Sequence, residues 1–191
     1  MADVILFHHA LGVTPGVHRF ADRLRAAGHR VAVPDLFDGA RFDTIEAGVA
    51  HAEEIGFEAI ADRGVAAASG LPATAVCAGF SLGALPAQKL AQTRPGALAA
   101  VLYHAAVPAG SFGAGWPDGV ALQVHLNDKD PWGEEDRGAA EGLVAEAADA
   151  ELFIYPGSTH LFTDESLSDH DPASAALVLE RTLRLLARWP S

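Results

Sequence analysis

The chain has 191 residues and a formal charge of −12. That length suits a single domain over residues 1–191, and the charge argues against nucleic acid or an anionic membrane as a partner, since both demand a basic surface. The one cysteine, Cys77, excludes an intrachain disulfide and cysteine-rich zinc patterns, and its apolar setting reads as a buried thiol.

Short apolar runs alternate with longer amphipathic ones. The opening MADVILFHH has an acid at position 3 and only a brief apolar run, unlike a secretion signal, and no later run approaches a membrane span. A cytoplasmic protein is the expectation. Val4–Phe7 reads as a buried strand. Between Val17 and Ala27, the residues Val17, Phe20, Leu24 and Ala27 share one helical face, and Gly28 is a natural stop. Arg30–Val33 reads as a strand ended by Pro34, and Ile45–Ser69 as helical with a break near Gly56. Strands are expected at Thr74–Gly79, Leu98–Tyr103, Val120–Leu126 and Glu151–Tyr155. Helices are expected at Leu82–Thr93, Glu134–Ala148 and Pro172–Trp189, with a Gly/Pro-rich loop over Pro108–Asp118. Continuous apolar strands alternating with helices predict an α/β domain with a mostly parallel sheet covered on both faces.

In such sheets ligands bind at the carboxyl ends of the strands, so the residues after each strand are the candidates for chemistry. Ala78-Gly-Phe-Ser-Leu-Gly-Ala84 places Ser81 in a G-x-S-x-G match where a strand meets a helix. Two glycines there allow a turn sharp enough to lift a serine hydroxyl above the sheet edge. Asn127-Asp-Lys-Asp130 follows a later strand, and Pro-Gly-Ser-Thr-His160 follows the last. Ser, Asp, His is the chain order of a hydrolase triad built on this kind of sheet. Ser81 is then the nucleophile and His160 its base. Asp130, ahead of Pro131, is the preferred acid, and Asp128 the alternative. The backbone amides of Leu82 and Ala10 are the candidate oxyanion donors. His9, Leu11, His104, Trp132 and Leu161 are the candidate pocket lining, with Trp116 as a further wall. Three histidines at one edge, His8, His9 and His104, raise the question of a metal. No spaced ligand motif accompanies them, so no metal and no cofactor are expected.

With these residues in view, the chain resembles the dienelactone hydrolase family of α/β hydrolases. The likeness is carried by ILFHHALGVTPGVHRFADRLRAAGHRVAVPDLFDG (Ile5–Gly39), CAGFSLGA (Cys77–Ala84), VHLNDKDPW (Val124–Trp132) and YPGSTHLF (Tyr155–Phe162). The resemblance implies an α/β-hydrolase fold with little or no lid. It also implies hydrolysis of an ester or lactone through a covalent acyl-enzyme without a metal, and it favours Asp130 as the acid. Three departures stand out. The best-known members carry cysteine where this chain has Ser81. A glutamate often follows the family's first strand where this chain has His9. An arginine that grips a substrate carboxylate is expected near Thr163 and Asp164, and an acid there is expected to repel an anionic substrate. The expected partner is therefore a small-molecule ester or lactone. A thioesterase or organophosphate-ester hydrolase on the same triad, and a non-catalytic small-molecule binder, are the alternatives.

Overall fold

The structure, a computed structural model, describes residues 1–113 and 115–189. Residue 114, inside the expected loop 108–118, and residues 190–191, at the end of the expected domain, lie outside it. Six strands form one sheet: β1 (Asp3–Phe7), β2 (Arg30–Ala32), β3 (Ala75–Phe80), β4 (Ala99–Tyr103), β5 (Ala121–Asn127) and β6 (Ala150–Tyr155). Their order is β2-β1-β3-β4-β5-β6 and every neighbouring pair is parallel. The chain steps outward from β1 to β2, then returns across β1 to β3. That reversal opens a crevice at the carboxyl ends of β1 and β3.

The helices are α1 (Pro15–Ala26), α2 (Ile45–Ile55), α3 (Phe57–Ala67), α4 (Ala84–Thr93), α5 (Glu134–Glu146) and α6 (Pro172–Leu186). Alternation along the strands sorts the core into two layers. Ile5, Phe7, Cys77, Leu102 and Val124 pack with Ala52 of α2, Ile60 of α3, Leu90 of α4 and Leu143 of α5. Val4, Leu6, Val76, Val101 and Tyr103 pack on the other face with Phe20 and Leu24 of α1 and Val178 and Leu185 of α6. This is the α/β-hydrolase fold, with helices on both faces. Among the described residues no helix is long and apolar enough to cross a membrane.

One local difference from the expected elements, at the start of α1, and the expected break near Gly56 have clear causes. Helix α1 begins at Pro15, ahead of Val17, because Thr14 caps it: the Thr14 hydroxyl accepts from the Val17 amide at 3.2 Å. Ala27 lies past its end and is exposed, so it is not part of the buried face. The helical stretch 45–69 is broken at Gly56, whose φ of +92° suits glycine, so α2 and α3 leave the break in separate directions.

Close helix contacts depend on glycine at two places. A Cβ on Gly64 of α3 would lie 2.3 Å from Pro86 Cβ on α4, and one on Gly48 of α2 would lie 2.0 Å from the Ala10 carbonyl oxygen. Gly142, on the exposed side of α5, meets nothing within 4 Å. Thermal or urea unfolding should therefore separate two substitutions by sign. Gly142→Ala is expected to stabilise by about 0.5–1 kcal/mol through helix propensity. Gly64→Ala is expected to destabilise by about 1–3 kcal/mol through overpacking.

Candidate active site

Strand β3 ends at Phe80, and the chain turns through the short 3-10 segment Ser81–Gly83 into α4. Ser81 has φ of +48°, a left-handed conformation that a non-glycine residue holds only under constraint. The constraint comes from the flanking glycines. A Cβ on Gly79 would lie 2.0 Å from the Gly83 carbonyl oxygen, and one on Gly83 would lie 2.6 Å from the carbonyl oxygens of both Phe7 and His8. The turn is thus pressed against itself and against the end of β1, and no side chain larger than hydrogen fits at either position.

Ser81 Oγ lies 2.7 Å from His160 Nε2, and His160 Nδ1 lies 2.6 Å from Asp130 Oδ2. His160 and Asp130 are buried, and Ser81 is partly exposed. The other Asp130 oxygen accepts from the Trp132 amide at 2.9 Å, so the carboxylate is fixed by the turn that follows it. Asp128 does not meet His160. It is exposed and accepts from the Gly157 amide at 2.9 Å, which ties the loop after β5 to the loop after β6. Of the two acids considered, the structure brings only Asp130 to the histidine.

The loop after β1 is held by two buried histidines. His8 Nε2 accepts from the Leu36 amide at 2.9 Å, so its proton sits on Nδ1 and is donated to the His9 carbonyl at 2.7 Å. Burial pulls the His8 pKa down to about 4, against the effect of that bond, and keeps the ring neutral. The Gly12 amide also donates to the His9 carbonyl, at 3.0 Å. In a trans peptide the N–H points opposite to the C=O. These two bonds therefore fix the direction of the Ala10 amide.

His9 turns away from Ser81. Its Nδ1 accepts from the Leu11 amide at 3.3 Å, and its Nε2–H donates to Asp164 Oδ2 at 2.9 Å. Asp164 also accepts from Thr14 Oγ1 at 2.5 Å, from the Ser166 amide at 2.8 Å and from Ser166 Oγ at 2.5 Å. Burial pushes the Asp164 carboxyl up, but the bonds from His9, Ser166 and Thr14 together hold it well below the usual carboxylate range. Asp164 is 4% exposed, so it does not face a substrate, and the expected repulsion from this position is withdrawn.

The cavity beside Ser81 has a volume of about 290 Å³. Ala10 and Leu82 border it, together with Val49 of α2, Phe57 of α3, Ala84 and Leu85 of α4, and Ala105 and Val107 after β4. Trp132 and Asp136, from the segment after β5, complete it. Phe57 and Trp132 are 44% and 42% exposed, so the cavity's walls include aromatic surface open to solvent. The Val107 segment is held by α4: Gln88 Nε2 donates to the Val107 carbonyl at 2.7 Å, and the Val107 amide donates back to Gln88 Oε1 at 3.1 Å.

Four expected lining residues stand elsewhere. His9 is engaged by Asp164. His104, with φ of +69°, bonds Thr163 Oγ1 at 2.7 Å and packs behind His160 with ring centroids 5.9 Å apart. Burial and the neighbouring histidines push its pKa well down, so its ring is neutral. Leu11 and Leu161 line a separate crevice with Thr44 and Leu167. Trp116 is not a wall either, because its Nε1–H donates to the Val120 carbonyl at 2.8 Å and its ring packs on the core. Of the expected lining, Trp132 alone borders the cavity. Asp136, Val49 and Val107 were not among the expected residues. Asp136 had one available signal, its place in the first turn of the helix after the Asp130 loop.

The sequence model of the dienelactone hydrolase family matches residues 1–189. The chain belongs to the dienelactone hydrolase family. Structures with the same fold include a dienelactone hydrolase from Anabaena variabilis, 19% identical, with 100% of this chain and 88% of that chain covered at a TM-score of 0.69. A dienelactone hydrolase-like promiscuous phosphotriesterase from metagenomic libraries is 19% identical, with coverage of 98% and 86% and a TM-score of 0.75. A cold-adapted esterase from an Arctic intertidal metagenomic library is 15% identical, with coverage of 96% and 82% and a TM-score of 0.69. No curated protein matches the sequence. Family membership places the chain among hydrolases. Ser81, His9 and Asp164 remain its departures from the family pattern described above.

The Asp164 cluster generates a pH prediction. Its carboxyl binds a proton less readily in the folded than in the unfolded chain. Its stabilisation is therefore complete above the unfolded pKa of about 4 and is lost as pH falls from there toward the lower folded value. Asp164→Asn is expected to be less stable than the parent by about 2–3 kcal/mol at pH 7. In urea titrations between pH 7 and pH 2, that gap should narrow on the acid side.

Proposed function

We propose that the protein is a serine hydrolase that cleaves a small carboxylic ester or lactone through an acyl-enzyme. The observation that carries this reading is the hydrogen-bonded line from Ser81 through His160 to Asp130, with Ser81 raised on a left-handed turn. Ser81 Oγ attacks the carbonyl carbon as its proton passes to His160 Nε2. Asp130 Oδ2 accepts from Nδ1–H, which sets the tautomer and stabilises the imidazolium. The Leu82 and Ala10 amides bind the oxyanion, the first at the start of a helical segment and the second aimed by the His8 and Gly12 bonds. Collapse expels the alkoxide, which takes the proton from His160. Water then gives a proton to His160 and attacks the acyl carbon, and Ser81 leaves reprotonated. No metal is needed for any step.

A second reading keeps the same residues and changes the electrophile to the phosphorus of a phosphotriester. It is favoured by the phosphotriesterase among the structures of the same fold. Turnover of a neutral phosphotriester alongside p-nitrophenyl acetate and butyrate separates the two.

Treatment of the folded protein with a fluorophosphonate is expected to add one adduct, found by peptide mass spectrometry on Ser81. Labelling should disappear in Ser81→Ala and fall sharply in His160→Ala. Ester turnover should drop by about 10⁴-fold or more in Ser81→Ala with the circular dichroism spectrum unchanged. Full activity in that variant rules the mechanism out.

A further inference from the structure

The cavity beside Ser81 does not end at Leu85. A groove of about 380 Å³ continues from it, and Phe57, Leu85 and Val107 line both. The groove follows α4. Leu85 stands one turn beyond Ser81 and Lys89 one turn beyond Leu85, so the two helix residues share the face that leads away from the serine. Phe112, partly buried, adds an aromatic wall 5.8 Å from Lys89 Nζ at its ring centroid. The Lys89 ammonium is drawn to Asp62 Oδ1 at 2.6 Å, which leaves its methylene stem to the groove. Two glutamines of α4 hold the wall segment in place. Besides the paired bonds of Gln88 to Val107, Gln92 Nε2 donates to the Ala109 carbonyl at 2.8 Å and to the Gly115 carbonyl at 3.1 Å. Walls fixed before binding reduce the cost of ordering on binding.

We propose that this groove is an acyl-chain subsite, so that the substrate is an ester of a linear, medium-chain carboxylic acid. The proposal rests on the reading of Ser81 as the nucleophile and names the acyl class for that site. The choice of the acyl half follows from proton transfer. His160 protonates the departing oxygen, so the alcohol half lies toward His160. His160 and Trp132 line the cavity but not the groove. The chain that enters the groove is therefore the one directed away from His160, the acyl chain. Its length follows from helix geometry. Ser81 to Lys89 is about 12 Å of helical rise, and an extended chain advances about 1.2 Å per bond, so roughly eight to ten carbons reach Lys89. Each methylene laid against Leu85, Val107 and Phe112 leaves water, and the gain is shared by every acyl group long enough to reach them.

The test is a chain-length series of p-nitrophenyl esters, from acetate to dodecanoate, each below its solubility limit. From butyrate to octanoate kcat/KM is expected to rise by about two- to threefold per methylene, and to level off by dodecanoate. Ethyl octanoate and octyl acetate are isomers that place the same long chain on opposite halves of the ester. The first should be preferred by about tenfold or more. Phe112→Ala alters a partly buried loop position in the groove, outside the cavity, and should lower the octanoate-to-butyrate ratio by about fivefold. Phe112→Leu keeps an apolar wall and should restore most of that ratio. A flat series, a preference for octyl acetate, or a ratio unchanged in Phe112→Ala overturns the proposal. Binding of butyramide and octanamide, measured by calorimetry, reads the same groove without turnover. Tighter binding of octanamide that weakens in Phe112→Ala supports the proposal even if every ester proves inert, in which case the nucleophile reading fails alone. Equal binding of the two amides overturns the proposal even in an active esterase.

Discussion

One buried carboxylate sets where the loops of the site can be. Asp164 receives four hydrogen bonds from His9, Thr14 and Ser166, and none of its donors is a formal cation. His9 and Thr14 belong to the loop after β1, which also contains Ala10. Asp164 and Ser166 belong to the loop after β6, which also contains His160. Thr14 in turn caps α1, and the Gly16 amide donates to Ser166 Oγ at 3.1 Å. A Cβ on Gly16 would lie 1.7 Å from Asp164 Oδ1, so helix α1 approaches the carboxylate end-on, with its positive end toward the charge. Two loops of the candidate site, far apart in sequence, are thereby referenced to a single point.

The elbow is fixed separately and by steric means. Gly79 and Gly83 let the turn at Ser81 fold onto itself and onto the ends of β1. The left-handed residue between them is held by packing against backbone that cannot yield. Ser81 and the Ala10 loop therefore have their positions set by the same strand end, Phe7-His8, while His160 is brought to them through Asp164. The proposed nucleophile, its base and its oxyanion donors are aligned by three different forces: steric contact, buried hydrogen bonds to a carboxylate, and the dipole orientation imposed by His8.

What the sequence made legible follows from periodicity and chain order. The strands could be read because a parallel sheet covered on both faces demands unbroken apolar runs, and the observed ends fall within one or two residues of the expected ones. That Ser81, Asp130 and His160 come together could be anticipated because each follows a strand at the one edge where side chains converge. The cavity wall could not be read in this way. His9 and His104 also follow strands, yet the first ring is held by hydrogen bonds from the Leu11 amide and to Asp164, and the second residue takes a positive φ. Neither effect leaves a mark in composition or spacing. Leu11 and Leu161 neighbour proposed site residues in sequence but line a separate crevice. Asp136, Val49 and Phe57 reach the cavity from helices, where direction depends on how each helix is set against the sheet.

The single cysteine of the chain has a consequence of its own. Cys77 lies on β3 opposite Ile5 of β1, is fully buried, and has its thiol pushed up to about 12 by burial. At physiological pH it supplies almost no thiolate, the form that peroxides and alkylating agents attack. With serine at the proposed nucleophile position, the oxidation ladder open to a catalytic thiol is closed in this protein. The proposed chemistry is therefore indifferent to oxidants that would silence relatives carrying cysteine at that position, and the one sulfhydryl present is sealed inside the sheet.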